Sequence, residues 1–185
     1  MWMRMPKLEF QKYIASKYEE CLELFELNCP AYFAEEERKD YRKFLEHDND
    51  LYLLGYENGS LICCFGITEH NEHLCSLSWI MVHPKHHKNG FGNEMMAYFI
   101  SYAKEKNKKT AMISTSQHAN SFFKKYGARE IAFIENGWGR GMHKIDMCIY
   151  FWVELPDEPP VCGATSEPGS KGAFKLGDED SYGYW

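Results

Sequence analysis

The chain has 185 residues, 44% of them hydrophobic and 16% aromatic, and a formal charge of −6. Such a length suits one well-formed core, and such an apolar content excludes wholesale disorder. The negative charge argues against nucleic acid as a partner, since that binding depends on phosphate neutralisation, and no apolar run reaches the length of a membrane span.

The charge is uneven. Residues 154–185 hold seven acids against two lysines, which leaves the rest of the chain close to neutral. The first ten residues lack the continuous apolar core of a signal peptide. Seven cysteines are present, an odd number, with no Cys-x-x-Cys pair and most of them inside apolar runs. They read as reduced core residues, small hydrophobes rather than a disulfide framework. These features predict a cytoplasmic protein with no membrane partner, as a monomer or homodimer.

Taken in order, residues 16–29 carry Tyr18, Cys21, Leu22, Phe25 and Cys29 at helical spacing, ended by Pro30. A second helix is predicted over 34–47, with Tyr41, Phe44 and Leu45 on one face. The charges of residues 35–40 read as its solvated side. Two strands, 51–57 and 61–68, are joined by Asn58-Gly59, a hairpin signal because both residues tolerate positive φ. A third strand, 74–83, is stopped by Pro84. A loop, 84–92, then opens into a helix over 93–106 that buries Met95, Met96, Phe99 and Ala103.

Residues 110–116 read as a short strand and 120–126 as a short helix closed by Gly127. Final strands at 130–135 and 143–154 flank the loop Asn136-Gly137-Trp138-Gly139-Arg140-Gly141. Beyond Leu155, prolines and glycines alternate with acids, the composition of a poorly ordered tail. The expected organisation is one domain over 1–155 and an acidic Pro/Gly-rich tail over 156–185. The element order predicts an α/β domain with a mixed sheet and helices on its faces.

The stretch Ile80-Met81-Val82-His83-Pro84-Lys85-His86-His87-Lys88-Asn89-Gly90-Phe91-Gly92-Asn93 carries the chemistry. A buried strand runs through a proline turn into a loop with two glycines, and the loop opens directly into a helix. Glycines let backbone approach a ligand closely, and N–H groups at a helix start form an anion site suited to phosphate or pyrophosphate. A Walker loop is excluded because Asn93-Glu94 follows Gly92. A Rossmann fingerprint is excluded because its third glycine position holds Met95.

Strand, Val-x-Pro, loop, Gly-x-Gly and helix together resemble the coenzyme A motif of the GNAT N-acetyltransferase superfamily. His87-Lys88-Asn89-Gly90-Phe91-Gly92 matches both glycines of the family's Gln/Arg-x-x-Gly-x-Gly/Ala, with His87 at the Gln/Arg position. Asn120-Ser121-Phe122-Phe123-Lys124-Lys125-Tyr126-Gly127-Ala128 is similar to the family's second landmark. The resemblance covers roughly residues 8–153 and implies a mixed, mostly antiparallel central sheet with helices on both faces.

It also implies an N-acyltransferase that passes the acyl group of acyl-CoA, in the family usually acetyl-CoA, directly to a small-molecule or peptide amine. His83, His86 and His87 share a loop that must bend around phosphate with no acid or thiol beside them, so no metal is expected. The backbone of Ile80, Met81 and Val82 would pair with pantetheine, and one of those N–H groups would stabilise the oxyanion. His87, Lys88, Asn89, Gly90, Phe91, Gly92 and Asn93 would hold the pyrophosphate. Asn120 would bond the pantetheine arm, and Phe123 would pack near the sulfur. Trp138 and Arg140 would line the acceptor side.

Phe123 stands where many family members place a tyrosine as general acid. Tyr126, about one turn on, is the remaining hydroxyl of that helix. For the base, Glu69, His70, His73 and Ser78 are the candidates. The same departure at Phe123 sustains an alternative, a catalytically inactive acyl-CoA-binding sensor or interaction module.

Overall fold

The computed structural model describes residues 8–47, 51–151, 173–175 and 182–184. Seven strands form one sheet: β1 (Glu9–Lys12), β2 (Leu51–Glu57), β3 (Ser60–Glu69), β4 (Leu74–Val82), β5 (Thr110–Thr115), β6 (Arg129–Gly139) and β7 (Met142–Tyr150). Their spatial order is β1-β2-β3-β4-β5-β7-β6. Only β4 and β5 run parallel; every other neighbouring pair is antiparallel. The helices are α1 (Tyr18–Asn28), α2 (Arg38–Glu46), α3 (Phe91–Glu105) and α4 (Asn120–Lys124).

Periodicity explains which helix face is buried. In α1, Cys21, Leu24, Phe25 and Asn28 lie at spacings of three and four and point at the sheet; in α2, Tyr41 and Leu45 do so. These residues pack with Tyr52, Leu54, Cys64, Trp79 and Met81 on one sheet face. The buried hydroxyls there are satisfied: Tyr41 and Tyr52 share a hydrogen bond of 2.7 Å, and Tyr52 donates to Cys64 Sγ at 2.9 Å. The opposite face is covered by α3, whose Met95, Met96 and Phe99 pack with Phe65, Leu77, Ile113 and Met147. Each fully buried phenylalanine, such as Phe25, Phe65 or Phe99, contributes about 1.5–3 kcal/mol through burial.

The β2–β3 hairpin turns on Asn58 (φ 52°) and Gly59 (φ 79°), as the Asn-Gly pair predicts. The mixed sheet with helices on both faces is as expected. Several boundaries differ from the sequence reading. β1 was not predicted; it pairs only with β2 at the sheet edge. Helix α3 begins at Phe91, so Gly92 lies inside its first turn. The predicted glycine-rich loop 136–141 is mostly strand, since β6 continues to Gly139 and the turn shrinks to Arg140-Gly141.

The six described cysteines are free; five are buried and Cys29 is half-buried. Cys162 and the predicted boundary at 155 lie outside the described residues. Within the predicted tail, β8 (Ala173–Lys175) and β9 (Tyr182–Tyr184) pair with each other as a two-stranded ribbon. Among the described residues no helix is long and apolar enough to cross a membrane.

Candidate active site

The parallel pairing of β4 with β5 runs from Leu74 opposite Thr110 to Leu77 opposite Ile113 and stops there. β4 nevertheless continues to Val82 and β5 to Thr115. On its other edge β4 stays paired with β3 out to Val82 opposite Cys63. Residues 78–82 therefore hold one satisfied edge and one open edge. The register with β3 shifts at the same point: Gly66 faces Ser78 and Cys64 faces Met81, which sets Trp79 and Ile80 against Phe65 alone. This is a β-bulge, a device that bends a strand and re-aims its side chains.

Trp79 has φ +46°, a conformation that costs a bulky residue about 1–2 kcal/mol. Its indole is held in an aromatic cluster, with ring centroids 4.9 Å from Tyr41, 5.9 Å from Phe44 and 6.0 Å from Phe33. Packing of that kind over-determines the strained backbone.

A cavity of about 520 Å³ opens at the split. Ile80, Met81 and Val82 line it, as does every predicted loop residue from His87 to Asn93 except Asn89. The loop geometry follows from its sequence. Pro84 starts a short 3-10 turn, Lys88 (φ 65°) and Gly90 (φ 91°) reverse the chain, and α3 begins immediately. Asn93 and Glu94 N–H groups bond back to the Gly90 carbonyl, whereas those of Lys88, Gly90 and Gly92 have no acceptor among the described residues. His87 Nε2 donates to the Val82 carbonyl at 2.9 Å, tying the loop to the end of β4. A Cβ on Gly92 would stand 3.0 Å from the Phe122 ring, so glycine lets α4 close against α3.

Phe123 is buried and forms part of the cavity wall. Ser78 also lines the cavity; its Oγ is buried without a hydrogen-bond partner. Trp138 also lines the cavity, its Nε1 donating to the Thr115 carbonyl at 2.9 Å. Besides Asn89, four predicted site residues lie away from the cavity lining. Tyr126 donates to Asn93 Oδ1 at 2.5 Å from behind it, and burial raises the pKa of its hydroxyl. Asn120 Nδ2 donates to Glu130 Oε1 at 2.8 Å. Arg140 is exposed on the hairpin turn.

Glu69 is the fourth. It is ion-paired to Lys108 Nζ at 2.7 Å and accepts from the Tyr102 hydroxyl at 2.5 Å. The Lys108 ammonium, then the Tyr102 hydroxyl, hold its carboxyl below the usual range. Of the other two basic candidates, His70 Nε2 bonds Ser76 Oγ at 2.9 Å, and His73 is exposed beside the turn at Asn71.

Two cavity residues fall outside the site expected from the sequence. Glu37, read as part of a solvated face, is only 8% exposed and lines the cavity. Asn28 sits at the C-terminal end of α1, 2% exposed, its Nδ2 donating to the Leu24 carbonyl at 2.9 Å. A half-signal for Glu37 exists in its spacing: it stands three residues after Ala34 and accepts the Ala34 N–H at 2.7 Å, the glutamate half of a capping box.

Residues 21–128 match the model of the acetyltransferase (GNAT) family. The match spans more than half of the chain, and the protein belongs to that family. No match was found among curated proteins. Solved structures share the fold at low identity. The ribosomal-protein-S18-alanine N-acetyltransferase from Escherichia coli is 13% identical with a TM-score of 0.65, over 82% of this chain and 99% of that one. An aminoglycoside 6'-N-acetyltransferase complexed with coenzyme A is 13% identical with a TM-score of 0.63, over 80% and 99%. The yncA protein from Salmonella typhimurium, solved with acetyl-CoA, is 15% identical with a TM-score of 0.60, over 85% and 100%.

Proposed function

We propose that this protein is an acyl-CoA N-acyltransferase, using acetyl-CoA and passing the acyl group directly to an amine. The observation that carries the reading is the open edge of β4 at residues 78–82 beside a loop that ends at a helix N-terminus, both on one cavity. Two structural neighbours were solved with coenzyme A or acetyl-CoA, which supports the same cosubstrate here.

The residues fit that cosubstrate. The uncommitted N–H groups of Lys88, Gly90 and Gly92 offer donors to pyrophosphate at the positive end of the α3 dipole. The free edge of β4 can pair with an extended amide-bearing arm. Phe122 and Phe123 give the inner wall an apolar surface. When bound, the thioester supplies an activated acyl carbon. An N–H of the 78–82 segment aimed at its carbonyl oxygen would stabilise the developing oxyanion, a contribution of a few kcal/mol where a donor is preorganised. Tyr126 is committed to Asn93 and Phe123 has no proton to give, so departing thiolate would be protonated by solvent or by the substrate nitrogen.

Thiol release measured with acetyl-CoA and a panel of primary amines tests the reading. Saturable release with at least one amine is expected. Tight coenzyme A binding without release from any amine would favour the acyl-CoA-binding sensor, which the phenylalanine at 123 also permits. No coenzyme A affinity would remove both.

A further inference from the structure

The cavity is lined from two sides, and only the glycine-loop side resembles a phosphate site. The other side comes from the chain leaving α1, the 34–37 segment and the bulged part of β4; it supplies Asn28, Phe33, Glu37, Ser78 and Trp79, and also Tyr32, whose ring lies 5.1 Å from that of His87. Glu37 is the notable group. The residue is 8% exposed and no cation pairs with its carboxyl group among the described residues; a single backbone N–H, that of Ala34, donates to Oε2. A buried carboxylate without a cation is costly. Two further groups that line the same cavity have unused capacity. Ser78 Oγ has no partner. Asn28 spends its Nδ2 on Leu24, which leaves its Oδ1 as an acceptor.

The walls are aromatic. Phe33 and Trp79 stack with an interplanar angle of 23° and centroids 6.0 Å apart. A cavity lined by three oxygen groups and by aromatic side chains suits an ammonium ion, which donates three hydrogen bonds and is attracted to ring faces. A carboxylate on the acceptor would meet Glu37 as a like charge.

We infer that this side of the cavity is the acceptor site and that it takes a primary ammonium carried on an apolar or aromatic group, with Glu37 as its counter-anion and proton acceptor. The inference rests on the acyltransferase reading for its role, though not for the binding of the amine. The proton step is simple: an N–H bond of the ammonium breaks, an O–H bond forms on Glu37, and the electron pair stays on nitrogen as the nucleophilic lone pair.

The titration of Glu37 agrees with the geometry. Burial pushes its carboxyl up to about 8, only partly offset by the Ala34 N–H, with the carboxylates of Asp40 and Glu36 adding to the rise. Those two carboxylates are on its own segment; α1 and β4 present Asn28, Ser78 and Trp79, which do not ionise, and β6 passes with Gly139 against Ala34 and Glu36. The cavity's imidazoles, His86, His87 and His118, and its Lys88 and Lys125 come from the glycine loop and from residues 116–125, while the Tyr32 phenol, on the chain leaving α1, sits with its ring 5.1 Å from that of His87. With its carboxyl near 8, Glu37 is largely the neutral acid in the empty site at pH 7; it becomes the proton acceptor as pH rises through about 8, or when a bound ammonium draws that value down.

The test uses phenethylamine, n-butylamine and glycine with wild type and Glu37→Gln. Glutamine keeps the volume and can still accept from Ala34 N–H, so the variant should melt within a few degrees of wild type and bind coenzyme A within threefold. Its affinity for phenethylamine, measured by calorimetry on the coenzyme A complex, should fall at least tenfold, and kcat/KM with acetyl-CoA at least a hundredfold. Wild type should prefer both apolar amines over glycine by a hundredfold or more. Ser78→Ala, which removes an unpartnered hydroxyl and should not lower the melting temperature, should weaken phenethylamine binding about three- to tenfold. Unchanged amine affinity in folded Glu37→Gln, or in Ser78→Ala should the glutamine variant fail to fold, overturns the proposal. Lack of thiol release from wild type with amine binding intact and lost in Glu37→Gln would instead defeat the acyltransferase reading and leave the ammonium site standing.

Discussion

Tyr126 donates its hydroxyl to Asn93 Oδ1 at 2.5 Å, joining the turn after α4 to the first turn of α3. This bond defines a positioning part for Tyr126, because Asn93 lines the cavity and Tyr126 does not. Tyr126→Phe should therefore cost less than about tenfold in kcat/KM, equivalent to about 1.4 kcal/mol of transition-state stabilisation, with the loss appearing mainly in KM for acetyl-CoA. Steady-state kinetics at varied acetyl-CoA decide it. A hundredfold fall in kcat with unchanged coenzyme A binding would make Tyr126 the general acid.

The glycine loop makes a second prediction. Gly90 caps α3 at φ 91°, and a Cβ there would meet nothing within 4 Å, so space is available but the backbone conformation is not. Gly90→Ala should cost about 1–2 kcal/mol of stability, the left-handed penalty. Gly90→Asp should add a charge beside uncommitted N–H groups and weaken coenzyme A binding tenfold or more beyond Gly90→Ala. Calorimetry on the pair separates strain from charge. Equal affinities would mean that the loop holds no phosphate.

Much of this architecture was readable from residues alone, and the exceptions have physical causes. The Asn58-Gly59 turn, the helix faces of α1 and α3 and the glycine loop each rest on a local rule, and each was legible. β1 was not, because Glu-Phe-Gln-Lys at a sheet edge buries little and shows no alternation; only its pairing with β2 makes it a strand. The bulge at Trp79 has no glycine to announce it and exists because an aromatic cluster holds it. Glu37 was hidden most effectively. It stands in the run Glu-Glu-Glu-Arg-Lys-Asp, which reads as solvent-facing, and alanine at the cap position removes the hydroxyl that would signal a capping box. Its burial comes from packing of non-adjacent segments, which no local pattern encodes.

The tail should be dispensable for folding of the main sheet. β8 and β9 pair with each other and with none of β1–β7. A chain ending at Leu155 should melt within about 2 °C of the full-length protein, since a change of 1 kcal/mol moves Tm by about 2–4 °C at this size. Scanning calorimetry checks it. A fall of several degrees would show that residues 156–185 contribute to the core.

Glu69 and Lys108 supply the last prediction, because they separate a structural carboxylate from a catalytic one. Lys108 is 3% exposed, its ammonium held by Glu69 at 2.7 Å and by the Asn71 carbonyl at 2.7 Å. Removing one partner from a buried charge costs about 3–5 kcal/mol in full burial; here Asn71 remains and Glu69 is 38% exposed, so about 1–2 kcal/mol is expected after screening. Glu69→Gln should thus lower Tm by several degrees and leave kcat within twofold. The sign of the pH dependence follows from the depressed carboxyl of Glu69. Its stabilising effect is fully present above the unfolded value of about 4.3 and is lost as pH falls through the lower folded value. Wild type and Glu69→Gln should therefore differ in Tm at pH 7 and converge toward pH 3. Thermal melts across that range test the pair, and a kcat loss of a hundredfold at unchanged Tm would return Glu69 to the role of base.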